Sequence, residues 1–334
     1  MRQSTHEFVW NDMEKLNNNK LLANQIIQPT TPIQEFWRLF HKDKLAMLGF
    51  ILLLLLIIAA IAGKVLTEWT VVFDPATVRL VDKFMPPFSS ASEHILLEEV
   101  PKFGIYILGT DELGRDVFAR MLQGSFVSLS IGFVAVSIST FIGILLGGLA
   151  GFYGKVRLGF ISVDTLIMRF TDVMLCFPTF FLILTVVALL PPSIYNIMII
   201  IGITSWMGTA RFVRAEFLAL REQDFVLAAK ALGLPEWRII FLHMVPNAIA
   251  PVLVSAVIGV AAAILTESAL SFLGFGVQPP YATWGNILAD GKNFIFDAPW
   301  LFFIPGIAIL IIVLAFNLVG EGMREALNPK LRKR

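Results

Sequence analysis

Charged residues are scarce in this sequence. Only 15% of its 334 residues are Asp, Glu, Lys or Arg, and 57% are hydrophobic, whereas an average soluble domain has roughly 25% and 45–50%. The formal net charge of +1 also lacks the strongly basic balance that is typical of a nucleic-acid-binding protein. The composition therefore indicates a membrane protein with no nucleic-acid partner.

Motifs for metal, disulfide or nucleotide chemistry are absent as well. The single cysteine, Cys176, excludes a disulfide framework or a cysteine metal cluster built within the chain. The four histidines are widely scattered and no His-Glu-x-x-His motif occurs, which argues against a zinc hydrolase. None of the Gly-Lys pairs completes a phosphate-binding loop. We therefore expect no catalytic, cofactor-binding or metal-binding residue in this chain.

Long apolar runs dominate what is present, and they predict an all-α membrane protein with six transmembrane helices. A helix of about 20 residues crosses the hydrocarbon core of a bilayer. The predicted spans are residues 45–63, 126–153, 173–190, 194–210, 247 to about 275, and 298–320.

The distribution of Lys and Arg predicts the orientation of these spans. Nineteen of the 26 basic residues fall in the two termini and in the segments 154–172 and 211–246. Because positive charge is retained in the cytoplasm, these parts and both termini should be cytoplasmic. The predicted divisions are a tail at 1–44, a first span at 45–67, an extracellular segment at 68–123, a core of five spans at 124–323, and a tail at 324–334.

A short helix should precede the first span. Thr31, Pro32 and Gln34 form the pattern of a capping box with proline in the first turn. The apolar side chains of Ile33, Phe36, Trp37 and Phe40 then share one helical face. Such a helix either lies at the membrane surface or simply leads into the first span. Residues 1–30 have few aromatics and should be poorly ordered.

One feature inside a predicted span indicates close helix packing, and one just before a span indicates ion pairing. Gly143, Gly147 and Gly151 repeat every four residues and would let another helix approach closely. Asp164, Arg169 and Asp172 share one side of a helix before the third span, and Arg169 is placed to pair with Asp172 three residues on. We expect this trio to be a structural ion-pair cluster at the cytoplasmic membrane edge rather than a gate.

Glu267 stands well inside the fifth predicted span, with Ser268 and Ser271 beside it. A charged residue at such a position costs on the order of 3 kcal/mol on insertion scales, so it should face a partner or a wet cavity. The sequence leaves two alternatives open. The group either lines a translocation path or bonds to a neighbouring helix or subunit.

The stretch "LAAKALGLPEWRIIFLHMVPN" at 227–247 interrupts the apolar pattern. Asp224 is placed to cap a short helix, and Gly233 suits the left-handed position that ends one. Pro235 and Glu236 suit the first turn of the next helix. The small residues Ala228, Ala229, Ala231 and Gly233 would leave a thin ridge on a docking helix outside the membrane. A plain connecting loop is the alternative.

The same stretch carries a resemblance to a known family. "LAAKALG" followed by "HMVP" is similar to the cytoplasmic signature of ABC-transporter permeases, in which Glu-Ala-Ala, three residues and Gly precede a later Ile-x-Leu-Pro. Ala228, Ala229, Gly233 and Pro246 match, whereas Leu227 replaces the Glu. The stretches 41–56, 108–132 and 267–288 resemble the second permease subunit of dipeptide, oligopeptide and nickel importers. The resemblance covers about residues 33–329.

This resemblance implies a type I ABC importer permease fold in the bacterial cytoplasmic (inner) membrane. A homologous second permease would complete the translocation path, two ATPase subunits would bind ATP and Mg, and an external binding protein would deliver peptide. Residues 224–237 would form the coupling helix. The candidates for contact with the ATPase are Asp224, Ala228, Ala229, Leu232, Gly233 and Pro235.

Two other functional classes compete with this interpretation. The main alternative is a self-contained, ion-coupled secondary transporter in which Glu267 carries the proton. Such a transporter usually shows an internal repeat, and none is visible in the sequence. An intramembrane enzyme is a further alternative, but it lacks any recognisable metal or nucleophile motif.

Overall fold

The computed structural model describes residues 31–93 and 100–327, and this part of the chain is a helical bundle with two small β-hairpins. The predictions for residues 1–30 and for the end of the C-terminal tail lie outside the described residues. The helices are α1 Pro32–Phe40, α2 Lys44–Lys64, α3 Val117–Phe152, α4 Val163–Leu175, α5 Thr179–Leu189, α6 Ile194–Ile203, α7 Trp206–Arg221, α8 Asp224–Ala231, α9 Glu236–Arg238, α10 Val245–Phe272, α11 Trp284–Gly291 and α12 Trp300–Ala326. The strands are β1 Ser89–Ser90, β2 Ile105–Tyr106, β3 Arg157–Leu158 and β4 Ile161–Ser162.

Five continuous stretches are long and apolar enough to cross a membrane. They are Lys44–Trp69, Val117–Phe152, Ile194–Arg221, Glu236–Phe272 and Trp300–Ala326. A sixth candidate consists of α4 and α5, which meet at a bend of 80°. Within the described residues the chain therefore has five candidate spans, or six if the bent pair counts as one.

The bent pair corrects the prediction of a straight third span at 173–190. Residues 176–178 break the helix, and α5 begins only after Pro178. Proline has no backbone N–H and disfavours helical geometry at the preceding residue, Phe177. Hydropathy does not register this break, because Cys176, Phe177 and Pro178 do not interrupt the uncharged run.

Two further predicted spans have different limits in the structure. The predicted fourth span at 194–210 extends to Arg221, with a short break at Thr204 and Ser205 between α6 and α7. The predicted fifth span begins at Glu236 rather than 247, because α9 and a π-helical turn, Ile239–Met244, run directly into α10. The second short helix predicted outside the membrane is thus continuous with the helix of the predicted fifth span.

Helix α3 lies at the centre of the bundle and packs against α2, α6, α7 and α10. Its glycine stripe faces α7, as the close-packing prediction requires. A Cβ atom placed on Gly147 would lie 2.4 Å from the carbonyl oxygen of Ala210, and one on Gly151 would lie 2.5 Å from the Phe217 Cβ. Glycine is therefore needed for the two backbones to approach this closely.

The N-terminal features agree with the sequence pattern. The Thr31 hydroxyl accepts a hydrogen bond from the Gln34 N–H, and the Gln34 side chain accepts one from the Thr31 N–H. Phe40 is buried, while Ile33 remains 71% exposed. Asp43 precedes α2, and its carboxylate caps this helix by accepting hydrogen bonds from the N–H groups of Leu45 and Ala46.

The segment between α2 and α3 folds around a buried polar group. The Tyr106 hydroxyl donates to the Asp82 carboxylate at 2.5 Å, and both residues are fully buried. Burial raises the pKa of the Tyr106 phenol, and the hydrogen bond to Asp82 raises it further. The phenol therefore stays protonated and holds the β1–β2 hairpin onto the turn at Asp82.

Helix α11 lies between the last two spans and was not predicted from the sequence. Thr283 and Asn286 form a capping box at its start. The Trp284 indole donates to the Met121 carbonyl, and the Ala282 N–H donates to the Gln123 side chain. The loop and helix are thereby fixed to the first turns of α3.

Candidate functional site

The segment around α8 has the geometry of a short, well-terminated helix standing between two spans. Gly233 has φ of +72°, the left-handed conformation that favours glycine. The Leu234 N–H donates to the Ala229 carbonyl and the Gly233 N–H donates to the Lys230 carbonyl. These two bonds are a Schellman motif, so the prediction for Gly233 is confirmed.

The predicted role of Asp224 as the helix cap is wrong. Gln223 occupies the N-cap position without a side-chain hydrogen bond, and Asp224 is the first helical residue. Its carboxylate still lies in the first turn, where the helix dipole favours negative charge. Pro235 likewise precedes α9 as its N-cap instead of standing in its first turn.

The small residues of the predicted ridge do not all lie on the exposed face of α8. Ala228, Leu232 and Gly233 are exposed, together with Asp224 and Pro235. Ala229, in contrast, is only 5% exposed. It packs with Val226 against residues of the adjoining helices, including Ile239 and Met244. Ala229 therefore cannot offer its side chain to another protein, because it faces the interior of this chain.

The exposed surface around α8 also carries large apolar side chains, in addition to the small residues of the predicted ridge. Leu232 is 81% exposed, and Trp237 and Leu227 are 57% and 47% exposed. Phe225 is also exposed. An exposed apolar patch of this kind marks a surface that contacts another protein or a membrane. Leu227, which departs from the family signature, is part of this surface.

Helix α8 is firmly attached to the spans beside it. Lys230 Nζ lies 5.3 Å from the centre of the Phe152 ring at the end of α3. Burial raises the pKa of the neighbouring Tyr153 phenol, and its hydrogen bond with Glu236 of α9 adds to the rise. The buried side chains of α8 share one apolar cluster with the ends of α3 and of the Glu236–Phe272 helix, so a displacement of α8 would disturb both.

The predicted ion-pair cluster has different partners from those expected. Arg214 bonds to Asp164 through two guanidinium nitrogens, and Arg211 bonds to Asp172. Within the part of the chain that the structure describes, Arg169 is exposed and has no ion pair. A contact three residues apart on one helix contributes only about 0.2–0.5 kcal/mol, and the guanidinium groups of α7 take both carboxylates instead. The pairs join α4 to α7.

Glu267 is fully buried near the end of α10. The Ser271 hydroxyl donates to Oε1 of Glu267 at 2.7 Å. A Cβ on Gly285 would lie 2.8 Å from the Ser268 Cα, so this part of α10 packs tightly against α11. None of the cavities described below is lined by Glu267. The tight contact with α11 within the same chain agrees with the alternative that Glu267 bonds to a neighbouring helix.

A groove between α3, α7 and α10 is lined by hydroxyl groups. Its volume is about 170 Å³. Ser205 and Ser255 are exposed on it, and the Thr266 hydroxyl donates to the Ala262 carbonyl. The hydroxyl-bearing residues of this hydroxyl-lined groove are Ser139, Thr140, Ser205, Thr209, Ser255 and Thr266.

Sequence reasoning missed this groove because the hydroxyls come from three separate spans. The available signal was that hydroxyl residues recur within these otherwise apolar segments, as Ser139 and Thr140 do in one and Ser255 and Thr266 in another. Among residues 31–93 and 100–327, no group of three or more His, Cys, Asp or Glu side chains is placed to hold a metal ion.

Comparison with known proteins gives two family matches. Residues 139–333 match the model described as "Binding-protein-dependent transport system inner membrane component". Residues 31–87 match the "N-terminal TM domain of oligopeptide transport permease C". Together they cover the α1–α2 region and most of the bundle.

Individual relatives agree with these matches. The chain is 38% identical to the dipeptide transport system permease protein DppC of Alkalihalophilus pseudofirmus, over 90% of this chain and 91% of the relative. It is 36% identical to the oligopeptide transport system permease protein OppC of Bacillus subtilis, over 88% of each. A solved structure of the MetNI methionine ABC transporter matches 63% of this chain and 98% of its own, with a TM-score of 0.48 and 17% identity.

Proposed function

Because the chain belongs to the family of binding-protein-dependent transport system inner membrane components, we propose that it is a permease subunit of a peptide importer energised by ATP. The curated relatives are dipeptide and oligopeptide permeases, which supports peptides as the substrate class. The catalytic chemistry belongs to separate ATPase subunits with ATP and Mg, and a homologous permease and an external peptide-binding protein complete the importer.

The observation that carries this proposal is the exposed face of α8. This terminated helix between two spans exposes Leu227 and, at its end, Leu232, beside the exposed Trp237 of α9, and a groove of another protein would cover this apolar surface. One ATPase subunit bound there would contact α8, which itself packs against α3 and the helix that begins at Glu236. ATP binds the closed arrangement of the ATPases more tightly, and this differential affinity drives the permease from inward-open to outward-open.

The proposed fold is that of a type I importer permease with six spans and both termini in the cytoplasm. The sixth span is the bent pair α4–α5. This topology places α8 and the Arg211 and Arg214 ion pairs on the cytoplasmic side, where most Lys and Arg residues accumulate. It places the segment between α2 and α3, and helix α11, on the outer side of the bacterial inner membrane.

The hydroxyl-lined groove is our candidate for this subunit's half of the translocation path. Hydroxyl groups within spans are favourable when they face a protein partner or water rather than lipid. A peptide carries amide groups that exchange hydrogen bonds with such a wall. The homologous permease would close the groove from the opposite side.

Substitution of Ala228 tests the proposal, because this residue is exposed on α8 and is not part of the bundle core. In the assembled importer, we expect Ala228→Arg to abolish peptide uptake and peptide-stimulated ATP hydrolysis while the complex still assembles. Ala76→Arg, at an exposed position of the segment between α2 and α3, is the matched control and should leave ATP hydrolysis intact. Normal uptake and hydrolysis by the Ala228→Arg complex would refute the placement of the ATPase at α8.

The ion-coupled alternative receives no support from the geometry. Its proton carrier, Glu267, is buried against α11 and does not border the hydroxyl-lined groove. We therefore do not propose a secondary transporter.

A further inference from the structure

A second cavity, of about 450 Å³, lies at the opposite end of the bundle from α8. It is bounded by the end of α2, the first turns of α3, the start of α6 and the loop that follows α10. Its volume falls within the range of small-molecule sites, roughly 300–1,000 Å³. The wall of this outer cavity includes the charged Lys64 and Glu68, the hydroxyl-bearing Ser130 and Ser193, and the apolar Phe126 and Met198.

One charge of each sign stands in the wall of the outer cavity. Lys64 Nζ lies 2.7 Å from Glu68 Oε2 and 4.3 Å from the centre of the Phe126 ring. The two side chains are only 29% and 26% exposed, so solvent screens them less than it screens an ordinary surface pair. The remaining walls are mainly aromatic, aliphatic and proline carbon.

The spacing of these charges fits a small zwitterion. Side chains four residues apart on a helix have Cβ atoms about 5–6 Å apart, and an extended dipeptide spans about 7 Å. The Lys64–Glu68 pair can therefore open so that each side chain meets one terminus of a dipeptide. One ion pair is then replaced by two, which offsets the loss of the original contact.

We propose that the outer cavity binds a short peptide by its two free termini: the Glu68 carboxylate accepts hydrogen bonds from the terminal ammonium group, and the Lys64 ammonium group donates to the terminal carboxylate. Ser193 offers its hydroxyl to the amide, while Phe126, Met198 and Val277 receive an apolar side chain. The proposal rests on the proposed function, because it names a site for the peptide that the importer carries. Recognition through the termini accepts many side chains and excludes peptides with blocked ends.

A thiol-protection experiment on the assembled importer in nanodiscs tests this proposal. Cys176→Ser removes the native thiol, and Ser130→Cys places a new one in the outer cavity. The rate of its modification by a methanethiosulfonate reagent is then measured with Gly-Leu and with N-acetyl-Gly-Leu-amide. At a Gly-Leu concentration about four times the dissociation constant, modification should slow about fivefold, since the free fraction falls as 1/(1 + [L]/Kd). The blocked peptide should give no protection.

Two further variants and a control site complete the experiment. Lys64→Met and Glu68→Gln, each in the Ser130→Cys background, should abolish the protection by Gly-Leu. Ser90→Cys, at an exposed position outside the outer cavity, should be modified at the same rate with and without peptide.

Three results would overturn the proposal. They are equal protection by the free and the blocked peptide, no protection by either, and protection that depends on phosphatidylethanolamine in the nanodisc instead of on peptide. The last result would identify a zwitterionic lipid headgroup as the occupant.

Peptide uptake measured on the same preparation separates the hypothesis that the outer cavity binds peptide from the proposed function of the chain. Normal uptake without protection rejects only the outer cavity, whereas failure of all ATP-driven peptide uptake rejects the proposed function.

Discussion

Gly233 is needed for its backbone conformation and not because space for a side chain is lacking. Its φ of +72° lies in the left-handed region, yet a Cβ placed on it would meet no atom within 4 Å. A substitution there acts through the backbone, and the left-handed conformation costs roughly 1–2 kcal/mol for an ordinary L-residue. Asn tolerates this conformation better than other residues do.

We therefore predict that Gly233→Val lowers peptide uptake by the assembled importer about tenfold, which corresponds to about 1.4 kcal/mol. Gly233→Asn should transport at close to the wild-type rate. The measurement is ATP-driven uptake by proteoliposomes that contain equal amounts of each complex. Equal loss in both variants would mean that the side chain itself, and not the turn, interferes with the ATPase contact.

Glu267 gives a prediction that distinguishes a structural group from a proton carrier. Gln keeps an oxygen to accept from Ser271 and preserves the shape that packs against α11. We expect Glu267→Gln to retain both uptake and thermal stability, and Glu267→Ala to lower the melting temperature of the complex because it leaves a buried void. Loss of uptake in a fully assembled Glu267→Gln complex would contradict the structural role.

Single residues also mark how far the sequence predicts the site. The left-handed glycine and the Thr31 capping box follow from local chemistry, which the sequence displays directly. The burial of Ala229 and the pairing of Asp172 with Arg211 do not, because both depend on which helices pack together. Ala228 and Ala229 look alike in the sequence, and only the packing distinguishes the exposed one from the buried one.

At the scale of elements, one arginine connects three parts of the chain. Arg120 of α3 donates to Asp111 of the preceding segment at 2.6 Å and to Asp290 of α11 at 2.9 Å. Arg120 and Asp111 are almost fully buried. Asp111 also bonds to Arg115. Arg120 and Asp111 lie in the stretch 108–132, which carries part of the family resemblance. The network joins them to Asp290, which follows another such stretch, 267–288.

We predict that Arg120→Met destabilises the complex by about 3–5 kcal/mol, because it leaves buried carboxylate charge without one of its partners. Arg120→Lys should restore only part of the stability, since one ammonium cannot reproduce the fork that bridges two carboxylates. The measurement is the melting temperature of the purified complex. Arg324→Met, which removes an exposed pair with Glu321, is the control and should change stability by at most about 1 kcal/mol. A similar small change for Arg120→Met would contradict the role of the network.

The elements that the sequence predicted well are those for which hydropathy is sufficient. Five of the six predicted spans overlap stretches that are long and apolar enough to cross a membrane. The break at Pro178 and the early start of the Glu236–Phe272 span were missed, because hydropathy does not register a proline bend and stops at the first charges of a helix. Helix α11 was missed because its polar contacts to α3 involve residues more than 150 positions away.

At the scale of the whole molecule, our proposal is that other chains drive this subunit. Three features support it: an exposed apolar helix at one end, a hydroxyl-lined groove between spans, and spans that pack against that helix. The family was predicted from the sequence through its resemblance to permeases and is confirmed by the family matches, whereas the assembly stays a prediction. The sequence could not predict the groove or the outer cavity, since each is formed by residues from several spans that meet only in the folded bundle.

The central claim is that this chain moves peptide only when ATPases act on it. The most direct measurement compares uptake of a labelled dipeptide by proteoliposomes that contain the chain alone with uptake by those that contain the complete importer. Each preparation is supplied with either a proton gradient or ATP and the binding protein. We predict uptake only by the complete importer with ATP and the binding protein. Peptide uptake by the chain alone, driven by the proton gradient, would contradict this account.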